Sequence, residues 1–329
     1  MLSTSDDLKR RLIRPLLWSI LSAVVIYGGS VVISDINTVG KSITRLGFSG
    51  WVAIIGLSLL NYGLRYARWE FYLRQFQYHL PTLLSLGYYI TGFAFTTTPG
   101  KAGEAIRSLY LKSHKVSYVH SLAAFFSERF VDLIAMVFLA LAAIFASPSQ
   151  RLPVLALALF LIFSMPLIHS KRFHLLLDRN IRRIHSQKLR SFCLRFLELL
   201  RSSSDLLRSG PLVVGVLFAL AAWGAEGAAF YVILESLDVH TTLGLAVGIY
   251  SISVLIGALS FIPGGLGSTE AVMIILLKLI GADTPTAVAA CLICRLTTLW
   301  FAVALGGASL LALEFNAKAA RRHISNIQG

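Results

Sequence analysis

Long uncharged runs separated by short charged ones dominate the pattern of this chain. No charge falls between Arg14 and Asp35, between Arg45 and Arg65, or between Arg151 and Lys171. A bilayer span needs about 20 predominantly apolar residues. The pattern predicts full spans at about 15–34, 48–64, 118–146, 152–169, 211–234 and 286–313. Two further apolar segments are interrupted. One begins near residue 82 and breaks at Thr-Thr-Thr-Pro99-Gly100; the other begins near 241 and breaks at Pro263-Gly264-Gly265-Leu266-Gly267. Each resumes as a second helical piece, at about 102–112 and 268–281. Proline removes a backbone donor and glycine permits sharp turning. Each break therefore reads as a re-entrant hairpin, with a proline kink in a full span as the alternative. The first run has a basic flank, but no Ala-x-Ala site follows it, so it reads as a retained span rather than a cleaved signal.

Composition agrees: 56% of residues are apolar and 14% charged, against roughly 25% charged in soluble domains. The expected fold class is an all-α integral membrane protein, one polytopic domain with about six full spans and two re-entrant broken-helix hairpins. The net charge of +14 would suggest nucleic acid in a soluble chain. Here 23 of the 30 Lys and Arg residues fall in five clusters that one topology places on a single side. The positive-inside rule makes that side cytoplasmic, with both termini, and no nucleic-acid partner is implied. Lys41, Arg45 and Arg151 fall on the other side. This split requires each broken segment to return to the side it entered from.

The stretch at about 171–209 carries ten of those basic residues, interleaved with Phe173, Leu176, Ile181, Ile184, Phe192, Phe196 and Leu200. Two readings fit it: a helical linker lying on an anionic leaflet, and a solvated connecting helix pair. Cys291 and Cys294 form a C-x-x-C inside an apolar stretch, without the further ligands of a zinc site or a redox context. They read as small packing residues.

Aligned, the two halves match. Pro99-Gly100-Lys101-Ala102-Gly103-Glu104 is followed by Arg129, and Pro263-Gly264-Gly265-Leu266-Gly267-Ser268-Thr269-Glu270 by Arg295. Glu104 to Arg129 and Glu270 to Arg295 both span 25 positions. Each half, about 48–146 and 211–313, reads as span, broken hairpin, span, with opposite orientation by the charge argument. That is an inverted repeat, an architecture of many secondary transporters.

Charges at bilayer depth cost at least about 2.5 kcal/mol each, yet this chain has Lys101, Glu104, Glu128, Arg129, Asp132, Glu226, Glu270 and Arg295 there. Glu128 and Asp132 share a helix face at i, i+4 spacing. Lys101 and Glu104 sit just past the first break, where exposed N–H groups and a helix dipole attract anions, and Arg107 would reinforce that pull. A phosphate is the natural guest. The structural alternative pairs Glu104 with Arg129 and Glu270 with Arg295, pinning each hairpin to the following span. Arg65, Arg68 and Trp69 end the second span, as interface anchors or as headgroup contacts.

In order, Arg65-x-x-Arg68-Trp69, Pro99-Gly-Lys-x-Gly-Glu104-x-x-Arg107, Glu128-Arg129-x-x-Asp132, Pro263-Gly-Gly-x-Gly-x-x-Glu270 and Arg295 resemble the lysylphosphatidylglycerol synthase transmembrane-region family, also called flippase-like. The resemblance covers roughly residues 10–315, and is loose at Ser268-Thr269. It implies lipid translocation. The best-known members join this module to a cytoplasmic domain that aminoacylates phosphatidylglycerol. Others stand alone and have been linked to other lipids, including polyprenyl-linked sugars and hopanoids. This chain stops soon after its last predicted span, so a stand-alone member is expected.

The expected function is a flippase or carrier of the inner membrane for a phospholipid or polyprenyl phosphate. Lys101, Arg107, Arg129 and Arg295 would hold phosphate, with Arg65 and Arg68 at the headgroup. Glu104, Glu128, Asp132 and Glu270 would balance them, or bind a cationic headgroup or proton. No catalytic residue, metal or cofactor is expected, and no G-x-x-x-x-G-K-[ST] nucleotide loop is present. The expected partners are an anionic lipid or lipid-linked phosphate, a lipid-synthesis enzyme and a second copy of the chain. The competing classes are a membrane-embedded lipid transferase and a non-catalytic subunit of an envelope-biosynthesis complex.

Overall fold

A computed structural model describes residues 44–144 and 151–328, apart from the side chains of 99–102, 142–144, 151–154 and 316–328. The predicted span at 15–34 and its basic flank lie outside these residues. The protein is all-α, with no strand among the described residues.

Helix α1 runs Gly47–Gln75. It does not stop at residue 64, where the charges begin. It continues a further three turns and buries Arg65, Arg68 and Trp69 at 4%, 0% and 1% exposure. The charges are no stop signal, because carboxylates on other helices neutralise them. This corrects the expectation of an interfacial anchor.

The first broken segment is α2, Thr82–Phe93, then a tight 3₁₀ stretch Pro99–Ile106, then α3, Arg107–Lys112. The turn opens at Ala94, earlier than Pro99 suggested, and it folds back on itself. The Gly103 N–H donates to Thr98 Oγ1 at 2.7 Å. A Cβ at Gly103 would lie 2.6 Å from that of Phe95, which is why glycine is needed there. The second broken segment is α9, Leu243–Leu259, the turn Pro263–Gly265, then α10, Ser268–Leu279. Gly264, Gly265 and Gly267 have φ of +63°, +63° and +86°. Only glycine enters that region without strain, so Pro-Gly-Gly-x-Gly encodes the turn directly.

Between the two lie α4 (Tyr118–Ile144), α5 (Arg151–His169), α6 (Lys171–Arg182), α7 (Gln187–Leu206) and α8 (Ser209–Ser236). After α10 come α11 (Thr284–Arg295), a π-helical turn at Leu296–Trp300, and α12 (Phe301–Gln328). Three helices are long and apolar enough to cross a membrane among the described residues: α1, α8 and the continuous stretch from Thr284 to Phe315. A fourth is reached if α5, from Leu155, and α6, bent 77° from it, form one span. Helix α4 has the length but carries Glu128, Arg129 and Asp132 at its middle. Helix α9 is apolar but has 17 residues, about 25 Å at 1.5 Å per residue, short of a bilayer core of about 30 Å.

Packing exchanges the two halves. The first helices of each, α1 and α8, lie side by side, with Asn61 Nδ2 donating to the Ala222 carbonyl at 2.8 Å. Helix α9 packs on α4, and α2 packs on α12. The α2–α12 approach is close: Ser309 Oγ donates to the Gly87 carbonyl at 3.0 Å, and a Cβ at Gly306 would collide with the Ala94 backbone. The two breaks touch each other. Cys291 and Cys294 are buried in α11 within the main apolar cluster.

Candidate functional site: a charged cavity where the two breaks meet

A cavity of about 270 Å³ opens where the two breaks meet. Helix α1 contributes Tyr62 and Arg65, the first break Thr96 and Thr98, and α4 Arg129 and Asp132. Helix α8 contributes Trp223 and Glu226, α9 Tyr250, the second break Gly264 and Gly265, and α11 Arg295. Leu133, Met136, Val254, Leu255, Leu259, Phe261 and Ile262 also line it. It is therefore two-sided in chemistry, with arginines against one part and hydrocarbon against another.

The charges form a connected network. Glu104, 1% exposed, has Oε2 3.6 Å from Arg65 and 3.8 Å from Arg129, while its Oε1 accepts from Thr96 Oγ1 at 2.8 Å. Asp132 Oδ1 accepts from Arg68 Nη2 at 2.8 Å and from Trp223 Nε1 at 2.9 Å; its Oδ2 lies 3.1 Å from Arg129. One carboxylate thus ties α1, α4 and α8 together. Arg107 pairs with Glu128, and its guanidinium lies 3.8 Å over the Trp69 ring and 4.9 Å from that of Tyr89.

At the second break Arg295 Nε donates to Glu270 Oε1 and Arg295 Nη2 to the Gly264 carbonyl, both at 2.6 Å. Glu270 Oε2 accepts from the Gly267 N–H at 2.6 Å. This pair closes the turn from both sides. Across the cavity the Tyr250 hydroxyl donates to Glu226.

Of the residues expected at the site, Arg65, Arg129, Asp132 and Arg295 line the cavity. Glu104 and Glu270 stand behind it, each within ion-pair distance of an arginine that does. Arg68, Arg107 and Glu128 do not line it; they are buried in ion pairs among aromatic rings and neighbouring helices. The Lys101 side chain lies outside what the structure describes. The helix start expected at Lys101 and Glu104 is a 3₁₀ helix that begins at Pro99, after an extended Thr98, and runs on into α3.

Trp223, Tyr250 and Thr96 carry no signal in the sequence that marks them for a site, and Glu226 stands out there only as an expensive charge. Tryptophan and tyrosine within apolar helices look like any packing aromatic, so only Glu226, alone in a long apolar run, gave a usable signal.

Among the described residues, five arginines (65, 68, 107, 129, 295) thus share one buried region with five carboxylates (104, 128, 132, 226, 270). Compensation is balanced in charge but not in geometry. The Nε atoms of Arg65 and Arg129 are buried without a hydrogen-bond acceptor on the protein, while their Nη2 atoms meet carboxylate oxygens of Glu104 and Asp132 only as ion pairs, at 3.6 and 3.1 Å. An unsatisfied buried donor costs about 1–3 kcal/mol, and both arginines line the cavity.

Apolar helices of spanning length, folded around a pooled set of charges, define a multi-pass membrane protein with a polar interior site. The chain belongs to the family described as lysylphosphatidylglycerol synthase TM region, which it matches over residues 19–306. It is similar to a UPF0104 membrane protein of Pyrococcus horikoshii, 27% identical, over 68% of this chain and 75% of the relative. A UPF0104 membrane protein of Methanocaldococcus jannaschii is 26% identical over 66% of this chain and 92% of its own length.

Proposed function

We propose that this protein carries a lipid with a phosphate-bearing headgroup across the inner membrane, phospholipid or polyprenyl phosphate, holding the headgroup in the cavity between the breaks. The observation that carries the reading is the placement of Arg65, Arg129 and Arg295 beside an apolar wall in the same cavity. A phosphate supplies oxygen acceptors for the first, and hydrocarbon suits the second. Charge-assisted bonds from arginine to phosphate are strong and directional.

The exchange of packing partners supports an inverted repeat, because halves related by a two-fold axis make each contact twice: α9 on α4, and α2 on α12. The opposite orientation of the halves rests on the distribution of Lys and Arg, as do cytoplasmic termini. In such a repeat the site sits where broken helices meet, and rocking of one half against the other exposes it alternately. A lipid-synthesis enzyme supplying the cargo and a second copy of the chain are the expected associates.

Purified protein in vesicles with headgroup-labelled phospholipids tests this. Labelled lipid reaching the opposite leaflet unchanged supports carriage. Chemical conversion of the lipid would make the protein a transferase. Inactivity toward every phosphate-bearing lipid offered, in a correctly folded preparation, would make it a subunit of something larger.

A further inference from the structure

The apolar face of α7 runs beyond the part of the protein that covers it. Leu189, Phe192, Phe196, Leu199, Ser203 and Leu206 are spaced three and four apart, so they form one continuous stripe. Exposure falls along it. Leu189, Phe192 and Phe196 are 51%, 68% and 50% exposed, Leu199 is intermediate, and Ser203 and Leu206 are 0% exposed. Helix α7 packs on α4, and Leu206 joins the core cluster holding Trp69 and Tyr72. The buried end of the stripe is thus explained by the fold. At the other end, nothing among the described residues covers two phenylalanines and a leucine.

Two independent features identify the occupant. The first is geometric. Helix α5 presents Leu159, Phe160, Ile162 and Phe163 outward, each more than half exposed, as a lipid-facing helix does. Helix α6 leaves it at 77°. If α5 runs along the bilayer normal, α6 lies close to the bilayer plane, and α6 packs on α7. Helix α6 also exposes Leu175 and Leu176, at 66% and 59%. The second is charge. Residues 171–208 hold ten Lys and Arg against Asp178, Glu198 and Asp205, and Asp178 is already bound to Arg182 at 2.9 Å. The chain's own N-terminal segment is basic as well, with Lys9, Arg10, Arg11 and Arg14, and a second copy would bring the same positive hairpin. Like charge disfavours both.

We propose that the α6–α7 hairpin is an interfacial anchor whose exposed stripe inserts into an anionic lipid leaflet, with its basic side chains on the headgroups. Exposed apolar side chains flanked by Lys and Arg suit the boundary between headgroups and acyl chains. Because α7 is seated on α4, the helix carrying Arg129 and Asp132, the anchor fixes that helix relative to the leaflet. The inference is independent of what the cavity carries.

The test uses full-length protein with Cys193→Ala, Cys291→Ala and Cys294→Ala. Nitroxide labels are placed singly through Phe192→Cys, Phe196→Cys and, as the aqueous reference, Arg182→Cys. The protein is reconstituted in vesicles of phosphatidylglycerol with phosphatidylcholine, and of phosphatidylcholine alone. Collisional relaxation by oxygen marks hydrocarbon, and relaxation by a water-soluble nickel chelate marks water. The expected result is a several-fold higher oxygen-to-chelate ratio at 192 and 196 than at 182. That contrast should narrow without phosphatidylglycerol and at high salt. Chelate-dominated relaxation at both positions in both vesicle types would overturn the proposal. So would labels screened from both reagents together with a short label-to-label distance, whether between two copies or, in a Phe192→Cys, Lys9→Cys protein, to the N-terminal segment.

Discussion

The two breaks share a sequence pattern but are held differently. At the second, Glu270 and Arg295 bond at 2.6 Å, and each also bonds a backbone group of the turn, Gly267 N–H and the Gly264 carbonyl. At the first, Glu104 accepts from Thr96 Oγ1 at 2.8 Å and lies 3.6 and 3.8 Å from two arginines, distances of ion pairs rather than hydrogen bonds. The same 25-residue spacing thus yields a bonded pair in one half and a carboxylate shared between two arginines in the other. The bonded pair spends Nε and Nη2 of Arg295 on the protein. At the first break Glu104 pairs instead with Arg65 and Arg129, both of which line the cavity. On the proposed function, the second break holds the shape of the site and the arginines beside the first meet the headgroup.

Breaking the bonded pair should have the largest effect. Arg295→Met leaves Glu270 buried without its guanidinium, a loss of about 3–5 kcal/mol for a severed buried pair. A clear drop in thermal midpoint in detergent is expected, with transport lost as a consequence. The double variant Arg295→Met, Glu270→Gln should recover part of the midpoint, since no buried charge is then unpaired.

At the first break the expected pattern is reversed. Glu104→Gln and Arg129→Met each should abolish transport while costing on the order of 1–3 kcal/mol in stability. The double variant should transport no worse than either single one. Additive losses would show that the two do not act as one unit.

Much of this was legible from residue order. The break positions, the glycines of the second turn and the Glu270–Arg295 pair follow from Pro-Gly placement and one repeated spacing. What residue order hid was partnership between helices. A 3.6-residue period tells which face Arg68 shares, not that Asp132 and Trp223 lie opposite it. It made Arg65, Arg68 and Trp69 look like the end of a span, because hydropathy weighs a charge without its distant counter-charge. It likewise offered Arg107 as a phosphate ligand, although Trp69, Tyr89 and Glu128 enclose it.

Gly264→Ala sharpens the contrast at smaller cost. A residue with Cβ at φ +63° pays about 1–2 kcal/mol. The thermal midpoint should fall modestly, and transport should slow without vanishing. The smallest expected change is Arg107→Lys. It keeps the charge beside Glu128 but gives up planar stacking on Trp69, for about 0.5–2 kcal/mol. Lipid selectivity in the vesicle assay should be unchanged, because Arg107 does not line the cavity.

Native mass spectrometry of lipid co-purified with the protein tests the central claim most directly. The comparison is between the unaltered chain, an Arg65→Gln, Arg129→Gln variant, and Arg107→Lys. The account predicts a retained phosphate-bearing lipid on the unaltered chain and on Arg107→Lys, released from the Arg65, Arg129 variant. Equal retention by all three, or no phosphate-bearing lipid on the unaltered chain, would contradict it.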